Sequence, residues 1–235
     1  MTVRVALIGN PNTGKSVVFN NLTGSRQHVG NWPGKTVEKK EGKCTHKGVE
    51  MEIVDLPGTY SLTARAIDEL IARDYLIEER PDVVVDIVDA SNIERNLYLA
   101  LLLMELEVRL VIALNMLDMA ESKGYKIDVE GLSKNLGVQI VPTVATEKRG
   151  MEELKDAILQ AAEEEEKRHH HIVPSYGEDI EKVITKLTKI VQKDQDLVER
   201  YPPRWLAIRI LEQDEDALQR VKGSLIEGEL LEATR

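Results

Sequence analysis

The chain has 235 residues, a formal net charge of −10 and a single cysteine, Cys44. That length can bury one sizeable core with a smaller unit appended, the acidic balance disfavours a nucleic-acid binder, which needs clustered Lys and Arg, and one cysteine builds no internal disulfide framework, so a reducing compartment is expected and no catalytic role for Cys44. The start MTVRVALIGN lacks the pattern of a secretory signal, and the longest apolar run, residues 97–117, is interrupted by Glu105, Glu107 and Arg109, so no membrane span is expected. Aromatic residues make up only 4% while Lys, Glu, Val and Ile are abundant, a balance compatible with a heat-loving source.

In chain order, short β-rich runs alternate with helical spacing. Strands are predicted at RVALIG (4–9), EKKEGKCTHK (38–47), VEMEIVDL (49–56), DVVVDIVDA (82–90), RLVIALN (109–115) and VQIVPTV (138–144). The second of these reads as an edge strand, paired antiparallel with the third across a turn at Gly48. Between the others lie helical stretches such as IDELIARDYLIEE and IERNLYLALLLMELE, and strands joined by crossover helices give a mostly parallel sheet with both faces covered. The expected class is α/β with a six-stranded sheet, whose ligands bind beyond the carboxyl ends of the strands. Asp86 is an acid inside an otherwise apolar strand, so it should have a neighbouring partner or lie near the surface. The charge run EEEEKRHHH (163–171) and Pro174 mark a boundary, dividing the chain into residues 1–167 and 168–235. His169, His170 and His171 read as a solvated helix end, since adjacent residues do not share a helix face. Beyond them Ile180, Val183, Ile184, Leu187, Ile190 and Val191 recur at helical spacing, as do Trp205, Ile208 and Leu211 after a start signal at Pro202 and Pro203, which predicts a small all-helical domain.

The chemistry is concentrated in four loops. Gly9, Gly14, Lys15 and Ser16 have the spacing GxxxxGK[ST] of a phosphate-binding loop, between a strand and a helix, with Asn10, Pro11, Asn12, Thr13 and Val17 completing its lining. Backbone N–H groups would wrap the phosphates, Lys15 would place a charge at the β and γ phosphates, and Ser16 would offer a hydroxyl to Mg²⁺. DLPG (55–58) follows a strand, so Asp55 can hold the metal through water and the Gly58 N–H can approach a γ-phosphate. NMLD (115–118) stands at the end of a buried strand. There Asp118 can accept from guanine N1 and the exocyclic amine, Asn115 can tie the loop to the phosphate loop, and the stem of Met116 can cover one face of the base. The alternative for Asp118 is a helix cap. PTVAT (142–146) stands where a further base loop belongs, with Val144, Ala145 and Thr146, and with the Ala145 N–H available to guanine O6. Thr59 follows Gly58 where many GTPases carry a water-positioning glutamine, and its shorter side chain predicts slow basal hydrolysis. Arg26 lies in the region that leads into residues 31–42, read as the first switch, and nothing in its spacing aims it at the phosphates.

NWPGKTVEKKEG (31–42), together with GNPNTGKS, DLPGTYSL, NMLD and the tail segment RWLAIRILEQD, resembles the ferrous iron transport protein B family over essentially the whole chain. The resemblance implies a Ras-like P-loop GTPase domain followed by a helical domain. It implies that Thr36 meets Mg²⁺ and the γ-phosphate, and that GTP binding and hydrolysis to GDP regulate ferrous iron uptake through a membrane domain of the same protein. The implied location is the cytoplasmic face of the cell membrane; a homo-oligomer would be compatible with it, and no nucleic acid is expected. It also implies K⁺ bound by Asn12, whose side-chain carbonyl would supply a hard oxygen ligand. Lys35 departs from the family, which commonly has a small apolar residue there. Two further readings stand beside this one: a soluble GTPase of ribosome assembly or RNA processing, and a nucleotide-controlled binding module whose hydrolysis is incidental.

Overall fold

The computed structural model describes residues 2–24, 27–63, 66–163 and 173–233. The expected boundary at 167/168, Arg26 and the three consecutive histidines lie outside these. The chain divides into two compact units, residues 1–104 with 108–172 and residues 105–107 with 173–235.

In the first unit, β1 (Thr2–Gly9), β2 (Gln27–Asn31), β3 (Glu38–His46), β4 (Val49–Asp55), β5 (Val83–Asp89), β6 (Leu110–Asn115) and β7 (Gln139–Pro142) form one sheet in the order β2-β3-β4-β1-β5-β6-β7. The strands from β4 to β7 run parallel to their neighbours, while β2, β3 and β4 pair antiparallel. The sheet therefore has seven strands where six were expected, and β3 is covered on its outer side rather than being the edge. The extra strand, QHVGN, is exposed along most of its length and has no apolar alternation to announce it. It is held by backbone pairing with β3, from Gln27 opposite Gly42 to Asn31 opposite Glu38.

The helices of this unit are α1 (Lys15–Thr23), α2 (Ile67–Glu78), α3 (Ile93–Glu105), α4 (Leu117–Ser122), α5 (Val129–Leu136) and α6 (Met151–Glu163). Val18, Phe19 and Leu22 of α1 and Leu154, Ala157 and Ile158 of α6 share a core with Val5, Leu7, Val85, Ile87 and Val111, which alternate along the sheet. Every residue of β5 and β6 is buried, the expected condition of central parallel strands. Cys44 belongs to this core, and burial pushes its thiol up, as for an inert structural cysteine.

Asp86 has neither the partner nor the surface position expected of it. It lies between Ile8 and Ile112 in the strand register, is 1% exposed, and its Oδ2 has no hydrogen-bond partner among the described residues. Burial drives its carboxyl well above the usual carboxylate range, since a buried charge without a partner is costly.

The second unit contains α7 (Glu178–Val191), α8 (Gln195–Arg200), α9 (Pro203–Leu211), α10 (Glu215–Val221) and α11 (Glu227–Ala233). Asp194 and Asp214 cap α8 and α10 through side-chain bonds to Leu197 N and Ala217 N, and Pro203 opens α9 where its missing N–H costs nothing. Ile184, Leu187, Ile190 and Val191 are buried with Trp205, Leu206 and Ile208, while Ile180 is exposed at the helix start. Arg209 is buried as well, and its Nη2 donates to Glu105 Oε2 at 2.7 Å. Among the described residues no helix is long and apolar enough to cross a membrane.

Candidate functional site

The sheet order puts β1 between β4 and β5, all three parallel, so Gly9, Asp55 and Asp89 end at one edge of the sheet. The phosphate loop starts there. A side chain at Gly9 would put its Cβ 2.6 Å from the Ile87 carbonyl oxygen, which leaves glycine as the residue that fits. Thr13 Oγ1 closes the turn on the Asn10 carbonyl at 3.0 Å, and Gly14, at φ 84°, turns the chain into α1. The N–H groups of Val17 and Val18 then bond its carbonyl at 3.0 Å. Ser16 and Val17 are exposed on the first turn. Asn12 is exposed with φ 68°, a left-handed conformation asparagine tolerates. Asn10 is buried, and neither side-chain polar atom is bonded among the described residues. Lys15 Nζ is paired with Asp55 Oδ1 and donates to the Leu56 carbonyl at 2.6 Å, so the phosphate-loop lysine and the expected metal carboxylate meet directly.

Asn115 joins three segments. Its Nδ2 donates to the Thr13 carbonyl at 2.9 Å, and its Oδ1 accepts from Thr143 Oγ1 at 3.2 Å and from the Ala145 N–H at 3.0 Å. The tie between the phosphate loop and the base loop expected from NMLD is therefore present. Met116 takes a left-handed conformation as the N-cap of α4, and its methyl would lie 3.6 Å from a Cβ placed at Gly14, against the phosphate loop. Asp118 sits in the first turn of α4, exposed and with no hydrogen bond among the described residues. It does not cap the helix, which leaves the capping alternative without support. The loop of Val144, Ala145 and Thr146 lies against Asn115, and the Ala145 N–H, read as the donor to guanine O6, is turned inward onto the Asn115 side chain.

The switches are less tied. Thr36 is exposed and bonded to none of the loop residues, while the turn containing it is closed by Trp32 N on the Val37 carbonyl and Lys35 N on the Trp32 carbonyl. Trp32 is nearly buried, edge-on to Tyr75 of α2 at 5.5 Å, with Lys39 over its ring. Pro11 would lie 3.5 Å from a Cβ at Gly58, so the phosphate loop and DLPG are adjacent. Thr59 N bonds the Gly9 carbonyl at 3.2 Å, and its hydroxyl donates to the Ser61 carbonyl at 2.7 Å rather than facing the loop. Arg95 of α3 stacks over Tyr60 at 4.2 Å.

Gly9 to Val17, Asp55, Gly58, Asn115, Met116 and Val144 to Thr146 thus gather at one end of the sheet, and Thr36 makes no bond to them. Thr143 and Asn21 were missed. Thr143 precedes VAT in the motif and could have been found as the residue facing Asn115, but Asn21, whose Nδ2 donates to the Ala145 carbonyl at 2.6 Å, has no sequence signal. The hydroxyl and carboxylate oxygens of Ser16 and Asp55 are the hard donors Mg²⁺ accepts. Among the described residues no group of three or more His, Cys, Asp or Glu side chains is placed to hold a metal ion.

The family described as Ferrous iron transport protein B matches residues 3–158, and the one described as FeoB cytosolic helical domain matches residues 176–235. The Fe(2+) transporter FeoB of Methanocaldococcus jannaschii is 52% identical over 226 residues, 96% of this chain and 33% of that protein. The chain covers 26% of the Porphyromonas gingivalis Fe(2+) transport protein A/Fe(2+) transporter FeoB fusion protein, so it spans no more than about a third of these curated relatives. The cytosolic domain of T. maritima FeoB superposes with a TM-score of 0.88 in its apo form, at 39% identity over 100% of this chain and 94% of that one, and 0.86 in its GMPPNP form, at 40% identity over 98% and 91%. With both of its units matched in order, the chain belongs to the ferrous iron transport protein B family.

Proposed function

We propose that this chain binds GTP, hydrolyses it to GDP and phosphate, and through its nucleotide state regulates the passage of ferrous iron across a membrane. The observation that carries the reading is the Asn115 side chain, which holds the phosphate loop at Thr13 and the base loop at Ala145 in one hydrogen-bonded unit beside the exposed carboxylate of Asp118. Such a unit fixes the distance between the phosphates and the base, which is how a site selects a whole nucleotide rather than a phosphate. Asp118 would take the two guanine donors, an arrangement adenine does not match. Lys15 would exchange Asp55 for the β and γ phosphates, and the Gly58 N–H would meet the third phosphate. Ser16, Thr36 and Asp55 would hold Mg²⁺, with Thr36 moving inward to do so. Bound there, the ion neutralises charge on the phosphate oxygens. Asn12 would hold K⁺ through its exposed side-chain oxygen. The chain would act at the cytoplasmic face, its partner being a membrane domain of the same protein, a reading supported by the greater length of the relatives named as Fe(2+) transporters.

The test is calorimetric titration with GTP, GDP and ATP, followed by phosphate release with Mg²⁺ in K⁺. Tighter binding of ATP than of GTP would overturn the nucleotide assignment. Tight GTP binding without turnover would instead select the binding-module reading. The ribosome-assembly or RNA-processing alternative has no support from a chain whose two units both match the iron transport family.

A further inference from the structure

Asn10 opens the phosphate loop and is 3% exposed, yet neither Oδ1 nor Nδ2 of its side chain is bonded among the described residues. Its neighbours in the chain are both engaged. The Gly9 carbonyl accepts from Thr59 N at 3.2 Å, and Pro11 lies 3.5 Å from a Cβ placed at Gly58. The segment after DLPG therefore rests on the loop on either side of Asn10. Alternation along β1, carried one residue past its end, gives the side of the sheet to which Asn10 belongs. Val3, Val5 and Leu7 enter the core shared with α1 and α6, so Ile8, and Asn10 two residues on, take the opposite face. Thr59 and Leu62, whose carbonyl accepts from Arg73 of α2, are buried outside that core.

A buried amide without partners has given up water and gained nothing in return, and each bond it comes to make in the folded chain recovers part of that loss. A side chain unpaired in one arrangement of a segment and paired in another therefore biases the segment toward the second. A phosphoryl group arriving between the loop and DLPG would have to lift Gly58 off Pro11, and lifting Gly58 would pull Thr59 N from the Gly9 carbonyl. An amide can serve backbone freed in this way on both sides, since its oxygen accepts an N–H and its nitrogen donates to a carbonyl. We propose that Asn10 is a positioning residue for the segment after DLPG. When a third phosphate lifts residues 58–62, Asn10 accepts one of their N–H groups at Oδ1 and donates from Nδ2 to one of their carbonyls, and these bonds hold Gly58 at the γ-phosphate. The inference rests on the GTP reading above and adds to it a side chain of the phosphate loop that acts without touching a phosphate.

The test uses the whole chain with GDP and with a GTP analogue that is not hydrolysed. Asn10→Leu keeps the size and removes both polar atoms. It should lower the preference for the analogue over GDP by about tenfold, the worth of one well-made hydrogen bond. In the unmodified chain the analogue should slow hydrogen exchange in residues 58–63 relative to GDP. In Asn10→Leu that slowing should be lost while the slowing in residues 31–38 is kept, whereas a merely structural loss would move both segments together. If the melting curve shows Asn10→Leu unfolded, Asn10→Ala removes the same atoms with a smaller side chain. A measurement without any variant stands beside these: by NMR, the Asn10 Nδ2 protons of the unmodified chain should exchange with water more slowly in the analogue complex than in the GDP complex. Equal weakening of both ligands, protection of 58–63 retained in the variant, or Nδ2 protons that exchange alike in the two complexes would overturn the inference. A chain that binds neither ligand loses the GTP reading and this inference together; binding of both, with a preference that the variant leaves unchanged, removes only the role of Asn10.

Discussion

At the end of the site proposed to read the base, four bonds of 2.6 to 3.2 Å from or to the side chains of Asn21, Asn115 and Thr143 hold the loops together. At the end proposed to sense the third phosphate, Thr36 stands exposed and unjoined to the loops, Gly58 contributes only backbone, and Trp32 packs on Tyr75 instead of on the site. The contrast shows how one pocket can recognise a ligand and report on it. Recognition of the base needs donors and acceptors fixed in advance, since every group ordered on binding subtracts from affinity. Sensing a third phosphate needs groups that gain partners only when it arrives, and those must come from segments with few existing contacts.

The largest effect should come from the preassembled end. Asp118→Asn reverses half of the donor and acceptor pattern presented to guanine, so GTP affinity should fall by about a hundredfold or more while xanthosine triphosphate gains, as read by competition titration. Unchanged GTP affinity would mean the fixed end is not reading the base. Next in size is the cation. K⁺ should accelerate hydrolysis relative to Na⁺ at equal ionic strength by about tenfold or more, a fraction of what an arginine finger supplies, and Asn12→Ala should remove the difference with GDP affinity nearly intact. Identical rates in the two salts for the unmodified chain would return Asn12 to the role of a turn residue. A GTP analogue in place of GDP should slow hydrogen exchange in residues 31–38 and 58–63 while leaving 143–149 alike in both states; equal exchange everywhere would erase the contrast between the two ends. The smallest effect should be that of Thr59→Ala. Its hydroxyl donates to Ser61, so steady-state turnover should change by less than about threefold, one local hydrogen bond being its chief loss. A drop of several orders of magnitude would give Thr59 a direct part in hydrolysis.

The scaffold was legible because its signals are local and strong. β1, β5 and β6 are near-continuous Val, Ile and Leu runs, and the glycines of the phosphate loop are required by the Ile87 carbonyl and by a positive φ. The strand QHVGN was not legible, since an exposed edge held by backbone bonds needs no apolar period. Asn21 was hidden for another reason: its partner is a backbone carbonyl 124 positions away, and any residue type offers a carbonyl. Asp86 misled because an acidic side chain predicts a partner or a surface position, whereas the folded strand buries it between Ile8 and Ile112.

The pairing of Lys15 with Asp55 gives nucleotide loading the character of an exchange. The lysine is largely shielded from solvent and has its counter-charge built in, so a phosphate arriving there would not meet a bare cation; it would compete with a carboxylate for one. A loose inorganic anion, lacking a base to engage Asp118, would have little with which to win that competition. On the proposed reading the fold would thereby discourage occupation by the commonest anions around it, and Asp55 would be released for other work only when a complete ligand had taken its place.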